Sequence, residues 1–140
     1  SPNLKLVSID KRIGSEKVIK ENSKRLGVHP SLIVEDDVLN VFKNNQISHN
    51  LSNPDRVILG GGGANLQLII KELLGRINRK CILVIPLVSL NSLSKIEELL
   101  KSKVNKLSIS QHQAYRGIKI GDDTRLTPMN PVFILKGEFK

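Results

Sequence analysis

Short runs of branched apolar residues alternate along this chain with stretches whose apolar residues recur at helical spacing, and no other feature narrows the possible folds as far. Leu4-Lys5-Leu6-Val7-Ser8-Ile9 alternates and stops at Asp10, the pattern of a strand. Ser15, with Val18 following at helical spacing, predicts a capped helix from Ser15 to Leu26 that Gly27 ends. His29-Pro30 breaks the chain. Ser31 to Val34 then reads as a second strand, Asp37 to Phe42 as a short helix, and Lys43 to Pro54 as a polar loop. Arg56-Val57-Ile58-Leu59 is a strand that runs into Gly60-Gly61-Gly62-Gly63, after which Leu66, Ile69, Ile70, Leu73 and Leu74 mark a helix. Cys81 to Ile85 is a buried-type strand, and Ser92 or Ser94 caps a helix carrying Ile96, Leu99 and Leu100. Lys106 to Ser110 and Val132 to Leu135 close the chain as strands, with the Gly- and Asp-containing segment Arg116 to Asn130 between them. Such alternation implies an α/β domain with a mostly parallel sheet and an antiparallel C-terminal hairpin at one edge. No repeat or strong linker divides the chain, so one domain over residues 1–140 is expected.

Composition limits the partners. Lys+Arg exceeds Asp+Glu by 22 to 13, a net charge of +9, which favours an anionic ligand: nucleic acid, a membrane face, or a polycarboxylate or phosphate. Three Phe, one Tyr and no Trp disfavour the stacking platforms of single-stranded RNA binders. Cys81 is the only cysteine, which excludes an internal disulfide and a cysteine-cluster metal site. No apolar stretch approaches the roughly 18 residues of a membrane span, and no signal peptide opens the chain, so a soluble cytoplasmic protein is expected.

Asp10 directly follows a strand. In doubly wound sheets ligands sit outside the carboxyl ends of strands, and an acid there can accept both hydroxyls of a ribose; alternatively Asp10 caps the next turn. Glu35, Asp36 and Asp37 follow the second strand. One of them can accept from an adenine amino group, and a carboxylate at a helix start also complements the dipole, so both roles can coexist. Four glycines between a strand and a helix let backbone approach a ligand closely, although a tight turn alone explains them equally. Their spacing is neither that of the dinucleotide fingerprint nor that of a phosphate loop. His29, His49 and His112 lack ligand-like spacing, so no metal is expected, and no catalytic pairing is visible. Arg116, in Tyr115-Arg116-Gly117, can grip a carboxylate with two parallel bonds or remain a solvated loop residue.

From Leu4 to about Gly137 the chain resembles the methyltransferase–decarboxylase half of the decarboxylating precorrin-6Y C5,15-methyltransferases, which also occurs as a separate protein acting on cobalt-containing intermediates. The resemblance rests on Val7-Ser8-Ile9-Asp10, Glu35-Asp36-Asp37, Ile58-Leu59 with the four glycines, Leu87-Val88-Ser89-Leu90, Tyr115-Arg116-Gly117 and Asn130-Pro131-Val132, in this order and spacing. It implies a class I S-adenosylmethionine-dependent methyltransferase fold, Rossmann-like, with S-adenosyl-L-methionine as cofactor and an anionic tetrapyrrole (a precorrin) as substrate. Asp10 then matches the acid on the cofactor ribose and Asp37 the acid near the adenine, with Asp36 where the family usually has glycine. Gly60 and Gly61 match the loop facing the methyl group and the substrate. Arg116 matches an arginine on the substrate side, and Gly62 and Gly63 complete that side of the loop. Asn91 stands where relatives usually carry Glu. The resemblance also implies that the chain begins at the family's second strand, leaving a gap between the strands at Leu4 and Arg56, and that the protein is a homo-oligomer.

The implied chemistry is carbon methylation of a corrin precursor at C15 with loss of a ring acetate, in cobalamin biosynthesis. Arg116, Lys119 and Arg125 would hold other carboxylates. A class I RNA methyltransferase shares the fold and predicts binding that falls steeply with salt. An inactive domain that serves only for packing is the third reading, and turnover would exclude it.

Overall fold

The computed structural model describes residues 4–51, 53–61, 63–77 and 80–139, which form two compact units. The first comprises residues up to Asn53 together with Glu72–Arg76; the second comprises Pro54–Lys71 and Ile77 onward.

In the first unit, β1 (Val7–Ile9) pairs in parallel with β2 (Leu32–Val34), Ile9 lying opposite Val34. Between them runs α1 (Ser15–Leu26), a right-length crossover for two parallel strands. Gly27 ends α1 in the left-handed conformation at φ 63°, and the Val28 amide donates to the Ser23 carbonyl, a Schellman-type stop. The start of α1 differs from expectation. Gly14 is the N-cap, without a side-chain cap, and the Ser15 hydroxyl donates instead to the Asp10 carbonyl. α2 (Val38–Lys43) starts at Asp37, whose carboxylate accepts from the Leu39 amide at 2.9 Å. The expected loop that follows contains α3 (Asn45–Ser48) and a 3-10 turn at His49–Leu51, because Asn44 caps a further turn through the Gln46 amide. Arg76 ties this unit together. Its guanidinium lies 4.8 Å from the Phe42 ring centroid and donates to the Phe42 carbonyl, over the buried pair Val41 and Phe42.

In the second unit, β3 (Arg56–Ile58) pairs in parallel with β4 (Ile82–Leu87), joined by α4 (Leu66–Leu74). α5 (Leu90–Lys101) follows, capped by Ser89 rather than by Ser92 or Ser94; the Ser89 hydroxyl accepts from the Ser92 amide. β5 (Lys106–His112) and β8 (Val132–Glu138) then pair antiparallel, as expected. β8 inserts between β4 and β5, so the strand order is β3-β4-β8-β5. β4 buries Leu83, Ile85 and Leu87 on one face, against Leu66, Ile69 and Ile70 of α4 and Ile96 and Leu100 of α5 in the buried core. Burial of each such side chain contributes about 1.5–3 kcal/mol. The segment Arg116 to Asn130 is not a loop. It forms a separate hairpin of β6 (Tyr115–Ile120) and β7 (Asp123–Pro128), turned by Gly121 at φ 57°. Pairing is therefore parallel where helices connect the strands and antiparallel beyond α5. Among the described residues, β1 has β2 as its one strand neighbour and β3 has β4, so each keeps a free edge.

Candidate functional site at the carboxyl ends of the parallel strands

Parallel pairing brings Asp10 beside the acidic run. Ile9 and Val34 are register partners and the Asp10 amide donates to the Val34 carbonyl, so Asp10 and Glu35 leave the β1–β2 ladder at the same end. All four acids there are held by the chain itself. The Arg12 guanidinium grips both Asp10 oxygens, Nε lying 3.0 and 3.1 Å from them, and the Arg12 amide donates to the same carboxylate. These bonds from Arg12 hold the Asp10 carboxyl at about 2, well below the usual carboxylate range. Glu35 accepts from the Glu16 amide at 3.0 Å and so satisfies the start of α1, the role that Gly14 cannot perform. The Glu16 and Gly14 amides lower its pKa, and neighbouring Asp10 opposes them. Asp36 accepts from the Asp37 amide and from Asn40, and Asp37 caps α2.

The second unit repeats the geometry without the acids. β3 and β4 are parallel, and the Leu59 amide extends their ladder by donating to the Val84 carbonyl. Gly60 and Gly61 then leave the sheet at its carboxyl end, and a side-chain carbon at either position would meet nothing within 4 Å. Gly61 has φ 88° and Gly63 φ 49°, conformations that favour glycine. Gly63 opens a 3-10 turn leading into α4, while Gly62 lies outside the described residues. The structure thus groups Asp10 with Asp37 in one unit and Gly60, Gly61 and Gly63 in the other. Arg116 is in neither cluster: it sits exposed on β6, opposite Thr127.

Two features of the site were missed from sequence. The Arg12 grip on Asp10 had a signal in the short spacing of opposite charges, whereas the capping of α1 by Glu35, 19 residues away, had none. Among the described residues no cluster of His, Cys, Asp or Glu could hold a metal, and no helix is long and apolar enough to cross a membrane.

Solved structures place the fold of this α/β chain among those of class I S-adenosylmethionine-dependent methyltransferases. The precorrin-6Y C5,15-methyltransferase of Geobacter metallireducens superposes with a TM-score of 0.77 at 22% identity, covering 99% of this chain and 69% of that one. The precorrin-8W decarboxylase of Methanobacterium thermoautotrophicum gives 0.76 at 18% identity, covering 95% and 69%. The model of the precorrin methyltransferase domain family matches residues 1–137, and the chain belongs to that family. The probable cobalt-precorrin-6B C15-methyltransferase (decarboxylating) of Pyrobaculum aerophilum is 31% identical over 132 residues, covering 94% of this chain. Its counterpart in Pyrobaculum calidifontis is 31% identical over 116 residues, covering 83%. The chain spans 64% and 56% of the lengths of these two relatives.

Proposed function

We propose that this chain forms part of an S-adenosylmethionine-dependent enzyme that methylates a precorrin at C15 and removes a ring acetate, in cobalamin biosynthesis. Both units belong to that one catalytic domain, and its setting is the cytoplasm. The observation that carries the reading is Asp10, an acid at the carboxyl end of a parallel strand, in a chain of the precorrin methyltransferase family. The residues fit the cofactor. Asp10 is ionised and partly accessible, and it can accept from two ribose hydroxyls once Arg12 lets go. Asp37, at the start of α2 in the same unit, is assigned to the adenine, and a side-chain carbon at Gly60 or Gly61 would meet nothing within 4 Å. The bound cofactor supplies an electrophilic methyl group on a sulfonium. The protein's part is to align it with an electron-rich ring carbon and to keep water out, which is where large rate factors arise. Loss of carbon dioxide leaves an electron pair on the macrocycle, which a proton then takes up. Gly63, and with it Gly62 outside the described residues, is assigned to the substrate. Arg116 and Arg125 share one face of the hairpin and are placed to hold further carboxylates, with Lys119 on the other face.

A homo-oligomer is part of the proposal. The hairpin exposes Tyr115 at 59%, Ile120 at 50% and Leu126 at 71%, and a two-stranded ribbon is marginal by itself in water. Sedimentation velocity should show the wild type as an oligomer and Leu126→Lys as a smaller species; a monomeric wild type contradicts this part. The activity is tested by incubating the protein with cobalt-precorrin-6B and methyl-labelled S-adenosylmethionine. Mass spectrometry should show a tetrapyrrole that has gained the label and lost carbon dioxide. Unchanged substrate would contradict the reading.

A further inference from the structure

β3 and β4 run parallel, so the turns that follow them emerge at the same end of the sheet. One turn is the glycine run leading into α4, and the other is Val88-Ser89 leading into α5. Between the starts of these two helices lies a cleft of about 370 Å³. Its floor is apolar, formed by Leu66 and Ile96, which are 6% and 1% exposed. Its rim is polar, with Gly63, Gln67, Ser92 and Lys95. Ser92, Lys95 and Ile96 fall on one face of α5 because they are spaced i, i+3 and i+4.

Charge distinguishes this cleft. Its lining contains one cation and no carboxylate, and Lys95 belongs to none of the three ion pairs among the described residues. The comparable cleft in the first unit, about 360 Å³, is lined by Glu16, Glu21 and Glu35 as well as Lys17 and Lys20, and Glu16 already holds Lys20. An anion is repelled there and attracted here.

We propose that the cleft between α4 and α5 is a carboxylate subsite, in which the Lys95 ammonium, with the Gln67 amide and the Ser92 hydroxyl, holds one acidic side chain of the tetrapyrrole substrate. This rests on the precorrin reading above and adds to it a residue that fixes substrate orientation. The apolar floor takes the methylene of an acetate or propionate arm, and the polar rim takes its carboxylate. Gly63 lines this subsite and is the last residue of the glycine run, so an arm anchored here sets the ring beside that run. The charge-assisted bond from a single lysine supplies both affinity and direction.

The probe is uroporphyrin I, an octacarboxylate tetrapyrrole, titrated by its own fluorescence at several salt concentrations. Lys95→Ala should weaken binding about tenfold, the effect of removing one hydrogen bond to a charged group, and should flatten the salt dependence. Lys95→Arg should restore most of the affinity, and Ser92→Ala should lose about threefold, as one neutral hydrogen bond does. Lys101→Ala removes the same charge from the far end of α5 and should change little. Equal losses in Lys95→Ala and Lys101→Ala would overturn the subsite, as would an unchanged Lys95→Ala. If wild-type protein fails to bind uroporphyrin at all, the tetrapyrrole reading falls with the subsite. Far-UV circular dichroism confirms that these substitutions, at exposed Lys95 and Lys101 and half-buried Ser92, leave the fold intact.

Discussion

At the carboxyl end of β1 and β2 all four acidic side chains are already held by the chain's own donors, whereas β3 runs out into glycine backbone, and the cleft beside it is lined by one cation, Lys95, that forms no ion pair among the described residues. Arg12 holds Asp10, the Glu16 amide holds Glu35, Asn40 binds Asp36, and the Leu39 amide binds Asp37. By contrast Gly60 and Gly61 face open space, and Lys95 has no carboxylate on its cleft. A ligand at the first end must displace an existing partner, so selectivity there comes from competition. A ligand at the second end meets no resident, so affinity depends on how closely backbone and lysine can approach it.

That contrast can be broken most severely at the bare end. Gly61→Val places a β-branched side chain at φ 88°, a conformation that costs about 1–3 kcal/mol, and it also fills the space above the loop. Methyl transfer should fall by about tenfold to a hundredfold, read by product formation, while far-UV circular dichroism changes little. Near-normal turnover would show that the loop does not face the reactants.

At the self-satisfied end the acids also support the fold. Glu35→Gln weakens the acceptor at the start of α1 and should lower the melting temperature by a few degrees at neutral pH. The pH dependence follows from the lowered pKa values of Glu35 and Asp10. Each contributes stability that is fully present above its unfolded pKa and is lost as pH falls through its folded value. Acid unfolding should therefore develop between the ordinary carboxylate range near pH 4 and about pH 2, where Asp10 titrates. Glu35→Gln should show a shallower decline over that window, and an unchanged slope would remove Glu35 from the account. A smaller effect is expected at Arg12. Arg12→Ala removes the competitor for Asp10, so S-adenosylhomocysteine should bind a few-fold more tightly in calorimetry. Weaker binding would mean that Arg12 helps to hold the ligand instead of competing with it.

Much of the layout was legible in the sequence because it is written in local periodicity. α1 spans the expected residues, and the continuous apolar run from Cys81 to Ile85 located β4. What escaped was non-local or weakly patterned. Glu35 holds the Glu16 amide, 19 residues earlier in the first turn of α1, and no window of sequence contains that bond. The β6–β7 hairpin carries Arg, Lys, Thr and Asp between its apolar residues and buries almost none of them, so its alternation carried no core signal. The positions of Asp10 and Asp37 beyond the ends of β1 and β2 were readable because strand ends are readable. The cleft at Lys95 was not, since it requires two helix starts to meet at one end of a sheet.

The central claim is that Asp10 holds the cofactor ribose, and calorimetric titration of wild-type protein and Asp10→Ala with S-adenosylhomocysteine tests it most directly. Loss of a charged acceptor that bonds both hydroxyls should weaken binding by at least about tenfold. Equal affinities for the two proteins would contradict the account.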